Sequence, residues 1–327
     1  MATEESTTVR ARPEPIQAVP VRHPGRWITI AVLAVLVAMF VHLLVTNDRF
    51  QWSFMVSKMF RPPIIEGVLR GTVLMTVCAM LLAVSLGIVV AIMRLSPNPI
   101  LRVVAWLFTW VFRAVPRLVL LAVCGNLGIL WARIEFGVPF DTQIGHLFGV
   151  DNLQLRAFGF SAREVLTGFV AGLLGLAVSE AAYMAEIVRA GIQSVDGGQA
   201  EAASALGMSR GQIMRRIVLP QAMRVIIPPT GNETIAMLKD TSLLMAVPYS
   251  MELFFQLDAV GKRTFQIFPM YVSAVLWYLF LTSILLIGQH FLERHFSKGY
   301  GTSGRARMRL RAMTTETGGN PGVVDPS

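Results

Sequence analysis

Apolar residues in this chain come in long unbroken blocks. Trp27 to Thr46 runs for about 20 residues with His42 as its only ionisable side chain, long enough for an α-helix to cross a bilayer. Comparable blocks lie at 71–93, 166–188 and 269–291. Charged residues make up only 15% of the chain, against about 25% in a soluble domain. The blocks therefore predict an all-α polytopic membrane helix bundle.

Two weaker stretches complete the count at about six spans. Residues 99–113 are amphipathic, carry Arg102 and Arg113, and are expected to lie at the interface before Pro116 redirects the chain into a third span ending near Trp131. A fifth span is expected within 221–248, broken at Pro228-Pro229. Six spans put both termini on one side. The tail 1–26 (Arg10, Arg12, Arg22, Arg26), the segment 94–117, the loop 189–224 and the tail 293–327 (Arg294, Lys298, Arg305, Arg307, Arg309, Arg311) share that side and are rich in arginine. The opposite loops, 132–162 with Asp141, Asp151 and Arg156, and 250–263, are less basic overall, although Arg49, Lys58, Arg61, Lys262 and Arg263 fall on that side. Basic residues collect in cytoplasmic flanks, so both termini are expected in the cytoplasm of an inner-membrane protein. The same bias accounts for the net charge of +9 without nucleic acid. Residues 1–26 read as a disordered tail. The 27–46 span reads as a retained anchor, since it is too long for a signal-peptide core and no small-residue cleavage site precedes Asn47-Asp48.

Catalytic signatures are missing. The chain has no P-loop and no H-E-x-x-H, and its one G-x-S-x-G match, GMSRG at 207–211, lies in a polar loop between two expected helices rather than on the strand-to-helix turn that exposes a nucleophile. His23, His42, His146, His290 and His295 are scattered, and Cys78 and Cys124 sit in apolar stretches as small buried side chains. These absences argue against an enzyme, a resident metal and a cofactor.

One polar segment stands out between the apolar blocks. Residues 199–206, QAEAASAL, are strong helix formers. Gly207 is placed to end that helix, Ser209 to cap a second over 210–218, and Pro220 to lead back to the membrane. The run EAASALGMSRGQIMRRIVLP (201–220) resembles the EAA loop of permease subunits of type I ATP-binding-cassette (ABC) importers. SEAAYMAEIVRAGIQSVDGGQAEAA (179–203), PQAMRVIIPPTGNETIAMLKDTSL (220–243), EGVLRGTVLMT (66–76) and FRAVPRLVLL (112–121) resemble the polar amino-acid uptake branch of that family, the histidine, glutamine, glutamate and arginine type. The likeness covers about 64–292; the 27–46 span is additional to a five-span core. The chain departs at Ala114-Val115, where the family has Gly-Thr.

The resemblance implies a transmembrane permease of an ATP-driven amino-acid importer. It would work with separate ATPase subunits that bind ATP and Mg, a second permease chain, the same or paralogous, and a periplasmic substrate-binding protein. Coupling to the ATPase would fall to the EAA loop at 199–220, through Glu201, Ala202, Ala203, Gly207, Leu219 and Pro220. The alternative is an ion-driven secondary transporter or channel acting alone, and no internal repeat favours it.

Ionisable residues at membrane depth are costly and face the bundle or a water-filled path. Glu180, Glu186 and Arg189 lie on the fourth span with Tyr183 between the carboxylates. Glu186 and Arg189 are spaced to pair along one helix face, as bundle glue or as a gate. Asn232, Lys239, Asp240, Thr241 and Ser242 on the fifth offer donors and acceptors for an amino-acid zwitterion. Lys239 and Asp240 read equally well as an internal salt bridge. These eight residues other than Arg189 form the expected substrate pathway.

Overall fold

The computed structural model describes residues 24–150 and 155–296. The expected tails to residue 23 and from residue 297, and Asp151 of the long loop, lie outside the described residues. The chain divides into two units after Phe50. The first holds α1 (Pro24–Thr46) and one 3-10 turn, Asp48–Phe50. Its Thr29 and Thr46 hydroxyls donate to the carbonyls of Gly25 and His42, at 2.9 and 2.7 Å. Those two hydroxyls are thereby satisfied within the helix, as lipid requires.

The second unit begins with α2 (Trp52–Met59) and α3 (Pro62–Glu66). A π-helical stretch, Gly67–Val73, carries α3 into α4 (Leu74–Leu95), making one helix of 34 residues. The second span thus starts well before the expected residue 71. Next, α5 (Pro99–Ala114) and α6 (Arg117–Leu130) meet at a bend of 104°. Pro116 sets the bend: Val115 before it is extended at φ −78° and ψ 128°, the region that a following proline favours. At 14 residues α6 is only about 21 Å long, so it does not cross alone, and the bent pair is either one broken span or a re-entrant loop.

The polar loop at 132–162 has structure of its own. β1 (Arg133–Gly137) pairs antiparallel with β2 (Arg156–Ser161), with α7 (Asp141–Leu147) between them. Asp141 is buried there and accepts from the backbone N–H of Leu155 at 2.9 Å and from Arg156 Nε at 3.3 Å. A short helix, α8 (Ala162–Val165), leads to α9 (Gly168–Gln193). Then come α10 (Gly197–Ala205), α11 (Arg210–Ile213) and a π-helical stretch, Met214–Val218, that opens into α12 (Leu219–Asp240). The expected break at Pro228-Pro229 is absent, and both prolines lie inside α12. Membrane helices tolerate interior prolines, and the helix is tied to α14 at this point, where Gln289 Nε2 donates to the Pro228 carbonyl at 3.4 Å. A 3-10 turn, Thr241–Ala246, α13 (Leu253–Thr264) and α14 (Ile267–Phe296) complete the described residues.

Among the described residues four helices are long and apolar enough to cross a membrane, and the count reaches five if the bent α5–α6 pair is one span. The polytopic helical bundle is therefore as expected. The sixth expected span rests on α12, whose 22 residues reach about 33 Å but include Arg224, Glu233, Lys239 and Asp240.

Two seams hold the bundle. On α4, Ala79, Ala83, Gly87 and Ala91 recur every fourth residue and are all buried; on α9, Ala177, Ala181 and Ala185 do the same. Residues at this spacing share a helix face, and small ones let membrane helices approach closely. A Cβ added to Gly87 would lie 2.6 Å from that of Met184, so only glycine fits this contact. The second seam joins α13 to α14. Its centre is the fully buried Glu252, the N-cap of α13. That carboxylate accepts from the N–H groups of Phe254 (2.6 Å) and Phe255 (3.1 Å), and from the hydroxyls of Thr72 (3.0 Å) and Tyr278 (2.6 Å).

Candidate functional site

Two groups of ionisable residues lie along α9. The first is closed. Arg117, the opening residue of α6, reaches Glu180 Oε2 on α9 through Nη2 at 2.8 Å and pairs through Nη1 with Asp240 at the end of α12. Its Nε donates to Ser179 Oγ at 3.3 Å. One guanidinium thus ties three helices together. Glu180 is 0% exposed, and its second oxygen has no hydrogen-bond partner among the described residues.

The second group lines a cavity. Glu186 Oε1 accepts from Arg94 of α4 at 3.0 Å, and Oε2 accepts from Arg189 Nε at 2.8 Å. Arg189 turns on to Gln193 Oε1 at 2.6 Å. The expected Glu186–Arg189 pair is therefore present, with Arg94 added from another helix. Tyr183 links the two groups: the guanidinium carbons of Arg113 and Arg117 lie 5.3 and 5.8 Å from its ring centroid. Trp106 and Trp110 of α5 stack nearly parallel at 6.1 Å. Together Arg94, Trp106, Trp110, Arg113, Tyr183 and Glu186 border a cavity of about 470 Å³, within the size range of small-molecule sites. Arg113 pairs with no carboxylate among the described residues and is a free donor at that wall.

The remaining expected pathway residues are spread out. Asn232 accepts from Gln289 Nε2 at 2.9 Å, on the α14 side of α12. Lys239 is exposed. Successive residues on a helix diverge by about 100°, so Asp240 reaches Arg117 while Lys239 points elsewhere, and the internal Lys239–Asp240 salt bridge does not form. Thr241 is buried and donates to the Leu238 carbonyl at 2.8 Å, and Ser242 donates to that of Lys239 at 2.8 Å. Their hydroxyl protons are spent on backbone. Of the expected residues, Tyr183 and Glu186 line the cavity. Arg94, Arg113, Arg117, Trp106 and Trp110 complete the two groups and were missed, because arginines flanking apolar runs read as interface markers. The signal was there: Glu180 at mid-span requires a cation, and Arg113 and Arg117 flank the proline bend.

The polar segment beyond α9 forms a hairpin. Asp196 caps α10 by accepting from Gly198 N at 2.9 Å. Gly207 ends it with φ +77°, and the N–H groups of Gly207 and Met208 donate to the carbonyls of Ser204 (2.9 Å) and Ala203 (3.2 Å). That is a Schellman cap, which needs the left-handed conformation glycine adopts freely. Ser209 and Gln212 then close a reciprocal capping box on α11. Ala203 is buried, whereas Glu201, Ala202 and Leu206 stand exposed, as do Leu219 and Pro220.

The family model for binding-protein-dependent transport system inner membrane components matches residues 83–298, which include the bundle helices and the exposed hairpin between α9 and α12. The chain belongs to this family. This permease is 43% identical over 314 residues to the arginine transport system permease protein ArgU of Corynebacterium glutamicum, covering 96% of this chain and 93% of that one. It is 36% identical to the probable amino-acid permease protein YxeN of Bacillus subtilis, covering 78% of this chain and all of that one. Among solved structures it resembles the crystal structure of an amino acid ABC transporter with histidines, with TM-score 0.58 and 30% identity over 75% of this chain and 98% of that one. The MetNI methionine ABC transporter shares the fold at TM-score 0.51 and 15% identity, over 74% of this chain and 99% of that one.

Proposed function

We propose that this permease carries an amino acid across the inner membrane, with both termini in the cytoplasm, driven by separate ATPase subunits acting on the α10–α11 hairpin. The observation that supports it is the cavity between α4, α5 and α9. An amino acid needs a donor for its carboxylate and an acceptor for its ammonium. Arg113 offers the first without a competing anion, and Glu186 keeps acceptor positions beyond the two guanidinium contacts it already makes. The names of the relatives point to the same class of cargo. A binding protein would deliver it, and a second permease chain would complete the pathway. ATP and Mg would be held by the partner ATPase, since this chain carries no P-loop.

Coupling is assigned to Glu201, Ala202, Ala203, Gly207, Leu219 and Pro220. A rigid hairpin transmits a partner's motion because packed elements shift as units. The test is uptake into proteoliposomes holding the permease, its ATPase and its binding protein. Uptake should require ATP and be competed by free amino acids but not by the corresponding amines lacking the carboxylate. Uptake driven by an ion gradient without ATP would overturn the reading. Replacing Gly207 with valine forces a β-branched residue to φ +77°, a cost of about 1–2 kcal/mol confined to the hairpin. The Gly207→Val protein should insert normally while ATP hydrolysis proceeds with little uptake.

A further inference from the structure

A second, larger hollow lies between α4, α9 and α12, with a volume of about 930 Å³. Its walls are rows of aliphatic side chains at four-residue spacing, including Ile88 and Ile92 on α4, Val188 and Ile192 on α9, and Met223 and Ile227 on α12. Two threonines reach it, but Thr230 donates to the Ile226 carbonyl and Thr234 to that of Thr230, both at 2.8 Å. Their hydroxyl protons are unavailable to a ligand. No carboxylate lines the hollow.

One charge does. Arg210, the first residue of α11, borders the hollow, and its guanidinium has no ion-pair or hydrogen-bond partner among the described residues. Ser96, between α4 and α5, borders the hollow as well and accepts from Asn98 N at 3.2 Å, leaving its hydroxyl proton free. The site is an apolar trough with a cationic edge. An amino acid fits it poorly, because the hydroxyl oxygens there can accept a hydrogen bond but no carboxylate balances the charge of an ammonium. A helix from a second copy would fill the trough but bury Arg210 without a counter-charge, which is costly. An anionic phospholipid satisfies both halves, since its acyl chain is apolar and its phosphate pairs with a guanidinium.

We infer that this trough is a binding site for one anionic phospholipid, with an acyl chain along α4, α9 and α12 and the phosphate on Arg210. Arg210 directly follows the Gly207–Ser209 turn, so a lipid held there steadies the turn of the α10–α11 hairpin. Binding does not depend on the cargo or on the ATPase.

Native mass spectrometry of the purified full chain tests it, with phosphatidylglycerol and phosphatidylcholine supplied in equal amounts. The expected result is preferential retention of phosphatidylglycerol, lowered about fivefold by Arg210→Gln with phosphatidylcholine unchanged. Ile227→Trp, which fills the trough, should expel both lipids. Equal retention of the two lipids by the wild type, or a phosphatidylglycerol signal unmoved by Arg210→Gln, would overturn the proposal. Displacement of the lipid by soluble glycerol phosphate would overturn it too, since that assigns the site to the phosphate alone. So would efficient crosslinking between copies through Ile227→Cys, which would put a second chain in the trough. Arg210 is exposed. Its variant is therefore expected to fold, and it decides the matter even if Ile227→Trp does not.

Discussion

Glu180 and Glu186 sit on the same helix, less than two turns apart, and live in different surroundings. Glu180 is sealed in the bundle and held by one arginine that also holds Asp240. Glu186 is partly open at 19% side-chain exposure, lies between two arginines and faces a cavity. A sealed carboxylate with a single cation is a fastener: its worth is measured in folding. A half-open carboxylate at a cavity wall is free to exchange partners with a ligand: its worth is measured in transport. Depth in the membrane does not separate the two roles; the number of partners and the access of a ligand do.

The largest effect should come from breaking the fastener. Arg117→Ala leaves Glu180 buried without a cation and releases α6 and α12 together. Removing one partner of a buried pair costs about 3–5 kcal/mol. The variant should be lost from the monodisperse peak in fluorescence-detected size exclusion. Replacing both partners with apolar residues, Arg117→Met with Glu180→Leu, should restore most of that peak, since a buried pair is often no better than a well-packed apolar one. If the double variant folds but no longer transports, Glu180 is more than a fastener and the contrast with Glu186 fails.

Arg113→Ala probes the other side. Its guanidinium touches only the Tyr183 ring among the contacts described, so stability should change by less than about 1 kcal/mol in a thermal melt. Losing a charge-assisted bond to a substrate carboxylate is worth about 1.5–3 kcal/mol, so the concentration for half-maximal uptake should rise roughly 10- to 100-fold. A stable variant with wild-type uptake would remove Arg113 from the site.

Much of this layout was legible beforehand. Long apolar blocks place α1, α4, α9 and α14, because lipid leaves the chain few options, and Gly207 marks its cap because few other residues take that conformation. Tyr183 and Glu186 were legible too, since a charge inside a span must face something. Their partners were not. Arg94, Arg113 and Arg117 come from other helices, and local periodicity carries no record of which helix packs against which. The α4–α9 seam was hidden for a related reason: alanine and glycine every fourth residue look like filler until a second helix shows the same spacing. The Pro228-Pro229 break was expected from proline's missing N–H, but within a packed bundle the helix continues through it.

Smaller effects sharpen the contrast further. Glu186→Gln keeps the shape of the cavity wall and removes the charge. Its partners Arg94 and Arg189 are 18% and 29% exposed in their side chains, so solvent or a neighbour can take them up, and the stability loss should be about 1 kcal/mol or less. Uptake should still fall, because the acceptor facing the ammonium has become half donor. If instead Glu186→Gln melts the protein as Arg117→Ala does, both carboxylates are fasteners and the cavity needs another acceptor.

The smallest effect is expected at Lys239, the immediate neighbour of Asp240. An internal salt bridge between them is one of the two readings the sequence offers, but the structure points Asp240 at Arg117 and leaves Lys239 exposed. Lys239→Ala should therefore shift the melt by no more than about 0.5 kcal/mol and leave uptake unchanged. Asp240→Ala should cost more in the melt, since it takes one of the two anions from Arg117. The pair of measurements separates a charge that merely neighbours the cluster from one that belongs to it. Equal effects at 239 and 240 would mean that the two side chains act together and that Arg117 has Glu180 as its only working partner.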